Sequence, residues 1–411
     1  MKKRKIQIGD FKLTKKDKEA INKVVESNRV TEYTQTKEFE KKWAKTIGTK
    51  YAIAVNSGTS ALIAGLYSLK YLADDSKRKK VITTPVTYIA TSNAIKLSGL
   101  EPVYGDIDKR TFGLKTSEIE RILQEHNPKE FLAILPVHLM GYPCEMDKIN
   151  KIAKKYDLFV AEDTAQAHGT KYKDKLLGSF GDLSFYSFYV AHNISIGEMG
   201  AVNTDNIKIR NLVRQIKSNG RLCVCDICRR MEGKCPELLK QEDDEDFDGN
   251  KISNDFDPRF THNVLGFNFK TNEFTSAIAN QKIGGMDEIN KQRRSNVKYL
   301  NDGLKQYPRQ LQLPVYSKDV SYLGYPLIAK DVNKKDLLRK LESKGIETRP
   351  LFGCIPTQQP SFLDLKQEYE GKLPNAEYIG KKGFYIGCHQ YLNKNDLDYI
   401  VKGFGEVLKN G

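Results

Sequence analysis

The sequence predicts an α/β fold with a mostly parallel sheet, followed by a smaller α+β unit. Three observations predict it. Short, buried-type apolar runs alternate with helical stretches through the first part of the chain, as in parallel sheets with crossover helices. Near Asn290 a long helical stretch leads into a second pattern of strands and helices. The length, 411 residues, suits a large domain plus a smaller one. The expected boundaries are 1–290 for the large domain and 291–411 for the small one, with a cysteine-rich and acidic insertion at about 220–258.

In chain order, the first fifty residues read as helices with charged faces. Tyr51-Ala-Ile-Ala-Val55 reads as a short strand, followed by Asn56-Ser57-Gly58-Thr59-Ser60 and a helix through about Leu72. Further strands are expected at Val81 to Thr84, Phe131 to Val137, Leu158 to Ala161 and Leu183 to Phe188. Helices at Ser117 to Glu125 and Met146 to Lys155 separate several of them. In the second unit the expectation is a strand near Tyr322 to Ile328 and helices at Lys334 to Lys344 and Lys394 to Leu408. Pro236 to Pro258 break the pattern and read as an exposed acidic loop. Asp244, Asp246, Asp248 and Gly249 fit the first half of a calcium loop, but Lys251 and Asp255 do not fit the second half, so a solvated loop is preferred.

The formal net charge is +15. The lysines are scattered and interleaved with acids, so the gathered basic face that marks a nucleic-acid binder is missing. A positive field favours encounter with a small anionic substrate instead. The basic start Met1-Lys-Lys-Arg-Lys5 is not followed by an apolar stretch, and no run is long enough to span a membrane. The chain is therefore expected in the cytoplasm, where its seven cysteines need not form disulfides.

Three segments carry chemistry. Ser57-Gly58-Thr59 lies between a strand and a helix, where glycine admits a ligand and the helix N-terminus offers N–H groups to a phosphate. Any strand-to-helix turn can hold these residues. Glu162-Asp163 ends a strand, where open α/β sheets place ligands and where an acid can pair with a cationic ring nitrogen; a helix cap is the alternative. The third is Ser187-Phe-Tyr-Val-Ala-His192-Asn-Ile-Ser-Ile-Gly197-Glu198-Met199-Gly200.

Together these segments resemble the DegT/DnrJ/EryC1/StrS sugar aminotransferases, from about Ile6 to Leu408. Supporting stretches are Thr84-Pro-Val-Thr-Tyr-Ile-Ala-Thr91, His138-Leu-Met-Gly-Tyr-Pro143, Glu162-Asp-Thr-Ala-Gln-Ala-His-Gly169, Gly178-Ser-Phe-Gly-Asp182 and Leu265-Gly-Phe-Asn-Phe269. The resemblance implies the type I aminotransferase fold and binding of pyridoxal phosphate (PLP) or pyridoxamine phosphate (PMP). It implies that Gly58, Thr59 and Ser187 hold the phosphate, Tyr88 stacks on the ring, Asp163 pairs with the ring nitrogen and Gln166 lies beside the ring hydroxyl. Asn268 would reach the phosphate of a neighbouring subunit, making a homodimer the active unit. Arg349 would lie near the substrate.

One position departs from the family. Where its members carry the lysine that joins PLP covalently, this chain carries His192, which cannot form that bond but can move protons. The swap resembles the PMP-dependent sugar 3-dehydrases, which remove the C3 hydroxyl of a nucleotide-linked 4-keto-6-deoxyhexose. One branch, similar to CDP-4-keto-6-deoxyglucose 3-dehydrase, holds an iron–sulfur cluster fed by a reductase. The other, similar to GDP-4-keto-6-deoxymannose 3-dehydratase, has no cluster and recharges PMP from glutamate. Ser187-Phe-Tyr-x-Ala-His192 and the pairs Leu351-Phe352 and Gln359-Pro360 look like the first. An aminotransferase working without the lysine and a non-catalytic cofactor- or metal-binding scaffold are the alternatives.

Cys223, Cys225, Cys228 and Cys235 have the spacing C-x-C-x2-C-x6-C. Clustered thiols in a cytosolic chain suggest a [2Fe-2S] cluster or a structural zinc, and spacing does not separate the two. The resemblance matches Cys223, Cys225 and Cys235 to cluster ligands but puts Ala165 where the fourth lies, so Cys228 is the expected replacement. Cys144, Cys354 and Cys388 are expected simply to pack.

Overall fold

The structure, a computed structural model, describes residues 5–73, 75–235, 257 and 259–409. The acidic stretch from Glu242 to Asp248, and with it the calcium-loop reading, lies outside the described residues.

Among the described residues nine strands belong to the larger unit: β1 (Tyr51–Val55), β2 (Lys80–Thr83), β3 (Glu101–Tyr104), β4 (Phe131–Leu135), β5 (Phe159–Asp163), the short hairpin β6 (Lys171–Tyr172) and β7 (Lys175–Leu176), β8 (Leu183–Ser187) and β9 (Gly200–Thr204). Seven form one sheet in the order β1-β9-β8-β5-β4-β2-β3. Only β9 pairs antiparallel, with β1 on one side and β8 on the other. The remaining six strands therefore point the same way, and their carboxyl ends make one edge. Every residue of β4 is buried, as a strand covered on both faces requires. Alternate residues feed different cores: Ala133 and Leu135 pack with the helix Gly58–Ala73, whereas Ile134 packs with the helices Thr116–Glu125 and Met146–Tyr156.

The N-terminal helices close the layer on one side. The first, α1 (Lys15–Ser27), starts with a capping box in which Thr14 and Asp17 satisfy each other's backbone N–H. The second, α2 (Thr34–Ile47), ends at Gly48, whose φ of 87° places it in the left-handed region. Phe39 and Trp43 of α2 are fully buried against Tyr186 and Phe188. Met199, where the family carries glycine, is also fully buried in this cluster.

The smaller sheet is antiparallel, β10 (Leu311–Gln312), β11 (Tyr325–Ala329), β13 (Gly383–Ile386) and β12 (Thr348–Pro350) in that spatial order. The helices Met286–Leu304, Lys334–Ser343 and Lys394–Lys409 give Val297, Leu341 and Phe404 to its core. Ile6 and Ile8 join the same core, with the Ile6 N–H bonded to the Gly345 carbonyl at 2.8 Å. No described helix is long and apolar enough to cross a membrane.

Candidate functional site

Each cleft residue follows the carboxyl end of a co-directional strand: Gly58 and Thr59 follow β1, Tyr88 follows β2, Asp163 closes β5 with Gln166 just beyond, and Ser187 closes β8 with His192 five residues on. This is the edge at which open α/β sheets bind ligands.

The turn after β1 approaches β8 closely. A Cβ on Gly58 would lie 2.5 Å from Ser187 Cβ and 3.0 Å from its Oγ, so only glycine fits without displacement. Gly200 of β9 likewise leaves no room for a Cβ against the Ser57 carbonyl. Ser57 Oγ accepts from the Ser60 N–H at 3.1 Å. The N–H groups of Gly58 and Thr59, at the start of the helix Gly58–Ala73, have no acceptor among the described residues. These free donors and the Ser187 hydroxyl beside them form a cradle for an anion.

Asp163 is buried at 5% exposure. Its Oδ2 accepts from Thr91 Oγ1 at 2.9 Å and its Oδ1 from the Ala165 N–H at 3.2 Å. Thr91 is backed by Thr87, the hydroxyls 3.1 Å apart. Burial pushes the Asp163 carboxyl above its ordinary range, against the two hydrogen bonds that favour its charge. A cation placed against it would relieve that cost. Its neighbour Glu162 points to the other side, accepting from the N–H groups of Gly178, Phe180 and Gly181 at 2.9, 2.7 and 2.7 Å. One residue of the pair is thus structural and the other faces the cleft. Gln166 gives its Oε1 to the Met140 N–H at 2.9 Å, which holds a turn whose Met140 has φ 56°. Tyr88 is 60% exposed, its ring 6.0 Å from that of Phe352. An aromatic ring left open at the mouth of a cleft is available for stacking.

His192 lies on the turn after β8, its N–H bonded to the Tyr189 carbonyl at 2.9 Å. Its Nδ1 is buried without a partner, and its ring stacks on His168 at 5.9 Å between centroids. Burial, then the positive charge of Arg293, push its pKa down to about 4. The group is therefore a neutral imidazole at physiological pH. Sequence reasoning quoted His168 and Thr91 only inside motifs and missed Arg293. The hydroxyl one helical turn from Thr87 was the available signal for Thr91; no local pattern marks Arg293.

Asn268 is exposed, and its backbone bridges Ser218. The carbonyl of the next residue, Phe269, accepts from the Asn56 N–H at 2.9 Å, tying this segment to the phosphate-type turn. Arg349 is paired with Glu347 at 3.1 Å near the surface.

The four clustered cysteines line a second, separate cavity of about 410 Å³. Cys235 is buried, Cys223 half-buried, and Cys225 and Cys228 exposed. Arg214, Arg221, Arg230, Lys234 and Arg259 stand in its wall. Among the described residues no group of three or more His, Cys, Asp or Glu side chains is gathered closely enough to hold a metal ion. The thiols share a cavity but are not arranged as a ligand set. Ala165 is not among the residues of this cavity; its N–H serves Asp163 instead. Cys144, Cys354 and Cys388 are buried and pack.

Known proteins share the sequence and the fold of this chain. The model of the DegT/DnrJ/EryC1/StrS aminotransferase family matches residues 12–234 and 242–404. The lipopolysaccharide biosynthesis protein RfbH of Salmonella typhimurium is 31% identical over 90% of this chain and 84% of its own length. The dTDP-4-dehydro-2,6-dideoxy-D-glucose 3-dehydratase of Saccharopolyspora spinosa is 29% identical over 96% of this chain and 85% of its own. The structure of the E. coli GDP-4-keto-6-deoxy-D-mannose-3-dehydratase with bound hydrated PLP superimposes with a TM-score of 0.81 at 26% identity, covering 98% of this chain and all of that one.

Proposed function

We propose, from the premise that this chain belongs to the DegT/DnrJ/EryC1/StrS aminotransferase family, that it is a PMP-dependent dehydratase. Its substrate would be a nucleotide-linked 4-keto-6-deoxyhexose, from which it removes the C3 hydroxyl. The observation that carries the reading is His192, a buried imidazole with an unpartnered Nδ1 and a lowered pKa, at the position that the sequence resemblance matches to the family's covalent lysine. The likeness to sugar 3-dehydratases supports it.

When bound, PMP supplies an amine for the C4 ketone and a ring that accepts electrons as the C3 hydroxyl leaves. The chain's own groups hold and use it. The N–H groups of Gly58 and Thr59 and the Ser187 hydroxyl would hold the phosphate. Asp163, oriented by Thr91, would pair with the ring nitrogen and favour its protonated form. Tyr88 would supply a stacking face and Gln166 a polar partner for the ring hydroxyl. His192 would serve as the base that accepts a proton and returns one to the departing oxygen, general acid–base help worth about 10²–10⁴-fold. Asn268, exposed on its segment, would reach the phosphate of a second copy, so the active unit is a homodimer.

The thiols of Cys223, Cys225, Cys228 and Cys235 are the candidate ligands of an iron–sulfur cluster served by a reductase, or of a zinc ion. Their described arrangement does not fit either group, so no step is routed through it. Iron, zinc and acid-labile sulfide per chain, measured after purification without oxygen, decide this separate question.

The test of the function is turnover of PMP with a nucleotide-linked 4-keto-6-deoxy sugar, followed by mass spectrometry. Loss of oxygen at C3 is expected. Transfer of nitrogen from glutamate with C3 untouched would instead mark an aminotransferase. His192→Lys is expected to abolish deoxygenation and restore covalent attachment of PLP, visible in its absorption spectrum.

A further inference from the structure

We propose that Arg293 is a positioning residue of the cleft: its buried, unneutralised guanidinium, anchored on the same 321–323 segment and helix that clamp the His192 turn, adds to burial in disfavouring a second positive charge on His192. The inference rests on the proton-moving role given to His192 above and deepens it. Arg293 lies on the helix Met286–Leu304 at 2% exposure. Its Nη1 donates to the carbonyls of Tyr322 and Leu323 at 3.1 and 2.8 Å, and its Nε to Gln390 Oε1 at 3.2 Å. None of these acceptors is a carboxylate, and no described ion pair neutralises the guanidinium. A buried cation without a counter-charge is costly. Pinning three neutral oxygens does not require the charge.

The same elements clamp the His192 turn. Asn193, the next residue, donates to the Ser321 carbonyl at 2.9 Å and to Asn290 Oδ1 at 3.1 Å. Asn290, one turn before Arg293, donates to the His168 carbonyl at 2.8 Å. The helix and the 321–323 segment thus fix both the imidazole pair and the cation against one another.

The ionisable groups around them are few. His192 stacks on the His168 ring and lies within the field of Arg293 from the helix. Arg293 also meets Cys388 and Tyr391 after β13. His389 lies within its field, with Asp10 and Lys12 beyond it on the N-terminal segment. Among the described residues no carboxylate acts on His192; burial and then Arg293 disfavour its charge. Such an imidazole accepts a proton when the reaction delivers it and releases it readily. That suits a relay in which one C–H bond and the C3–O bond break and water leaves.

The experiment compares Arg293→Met with Arg293→Lys. The imidazole of His192, assigned with His192→Gln, is titrated by histidine-selective NMR in the full chain, with and without PMP. In the wild type it should stay neutral down to about pH 4. Arg293→Met should raise its midpoint by about one unit or more, and the acid limb of kcat/KM should move with it. Arg293→Lys should leave both in place. An unchanged midpoint in Arg293→Met, or identical pH profiles for the two variants, overturns the proposal. If Arg293→Met does not fold, Arg293→Gln is titrated in its place: a raised midpoint is expected, and a midpoint equal to that of the wild type overturns the proposal. Absence of deoxygenation with these titrations intact would sink the dehydratase reading and leave this one standing.

Discussion

The cofactor cleft and the cysteine cavity are both candidate sites, and they are built in opposite ways. The cleft is assembled from four strand ends whose side chains are locked by neighbours, Asp163 by Thr91 and the Ser57–Gly58 turn by Ser187 and Gly200. The four thiols of the cavity all come from one loop, between the end of the helix Ile207–Ile216 and Cys235, and among the described residues they are not gathered into a ligand set. A site on rigid elements exists before its ligand arrives; a thiolate site on a loop is completed by the ion that it binds.

The comparison can be broken at several points. The largest effect should come from Asp163→Asn. Removing the partner of a buried ring cation should cost about 3–5 kcal/mol, seen as at least a hundredfold loss in PMP affinity or turnover, without effect on metal content. Gly58→Ala comes next. Its Cβ would press on Ser187, and overpacking of this kind costs about 1–3 kcal/mol, measured as a lower melting temperature together with weaker PMP binding.

Acid should act through the cleft and its surroundings. His192 and His389 have pKa values lowered to about 4 by burial and then by Arg293, and burial lowers His168 further. Between the ordinary value near 6.5 and those lowered values the unfolded chain binds protons that the folded chain does not. Stability therefore falls as pH drops through that window, by about 1.4 kcal/mol per unit for each histidine. Urea denaturation at pH 7, 6 and 5 measures it, and His192→Gln should flatten the slope. The smallest effect on the cleft should come from Cys228→Ser: PMP binding unchanged, with any bound iron or zinc reduced.

Much of this cleft was legible in the sequence because its residues follow strands that are themselves short apolar runs. Gly58, Asp163, Ser187 and His192 each sit at such an end, and the strand at Tyr51–Val55 has the bounds that its apolar run marked. Strand β9 was missed because Gly200-Ala-Val-Asn-Thr204 is short, follows a glycine-containing turn and takes its direction from pairing with β1 and β8, not from its own residues. Glu162 and Asp163 are adjacent and alike in sequence; only the pleat separates the one that binds loop N–H groups from the one that faces the cleft. Arg293 and Thr91 act across distances in the chain that no local pattern records. Met199 joins the buried cluster of Phe39 and Trp43, residues too distant in the chain for a local pattern to record.

The most direct test of the account is the fate of the C3 oxygen. With PMP and a nucleotide-linked 4-keto-6-deoxy sugar, the wild-type chain should yield a product lacking that oxygen, and His192→Gln should slow its formation by about 10²-fold or more. A product that keeps the C3 hydroxyl, or a His192→Gln variant as fast as the wild type, would contradict it.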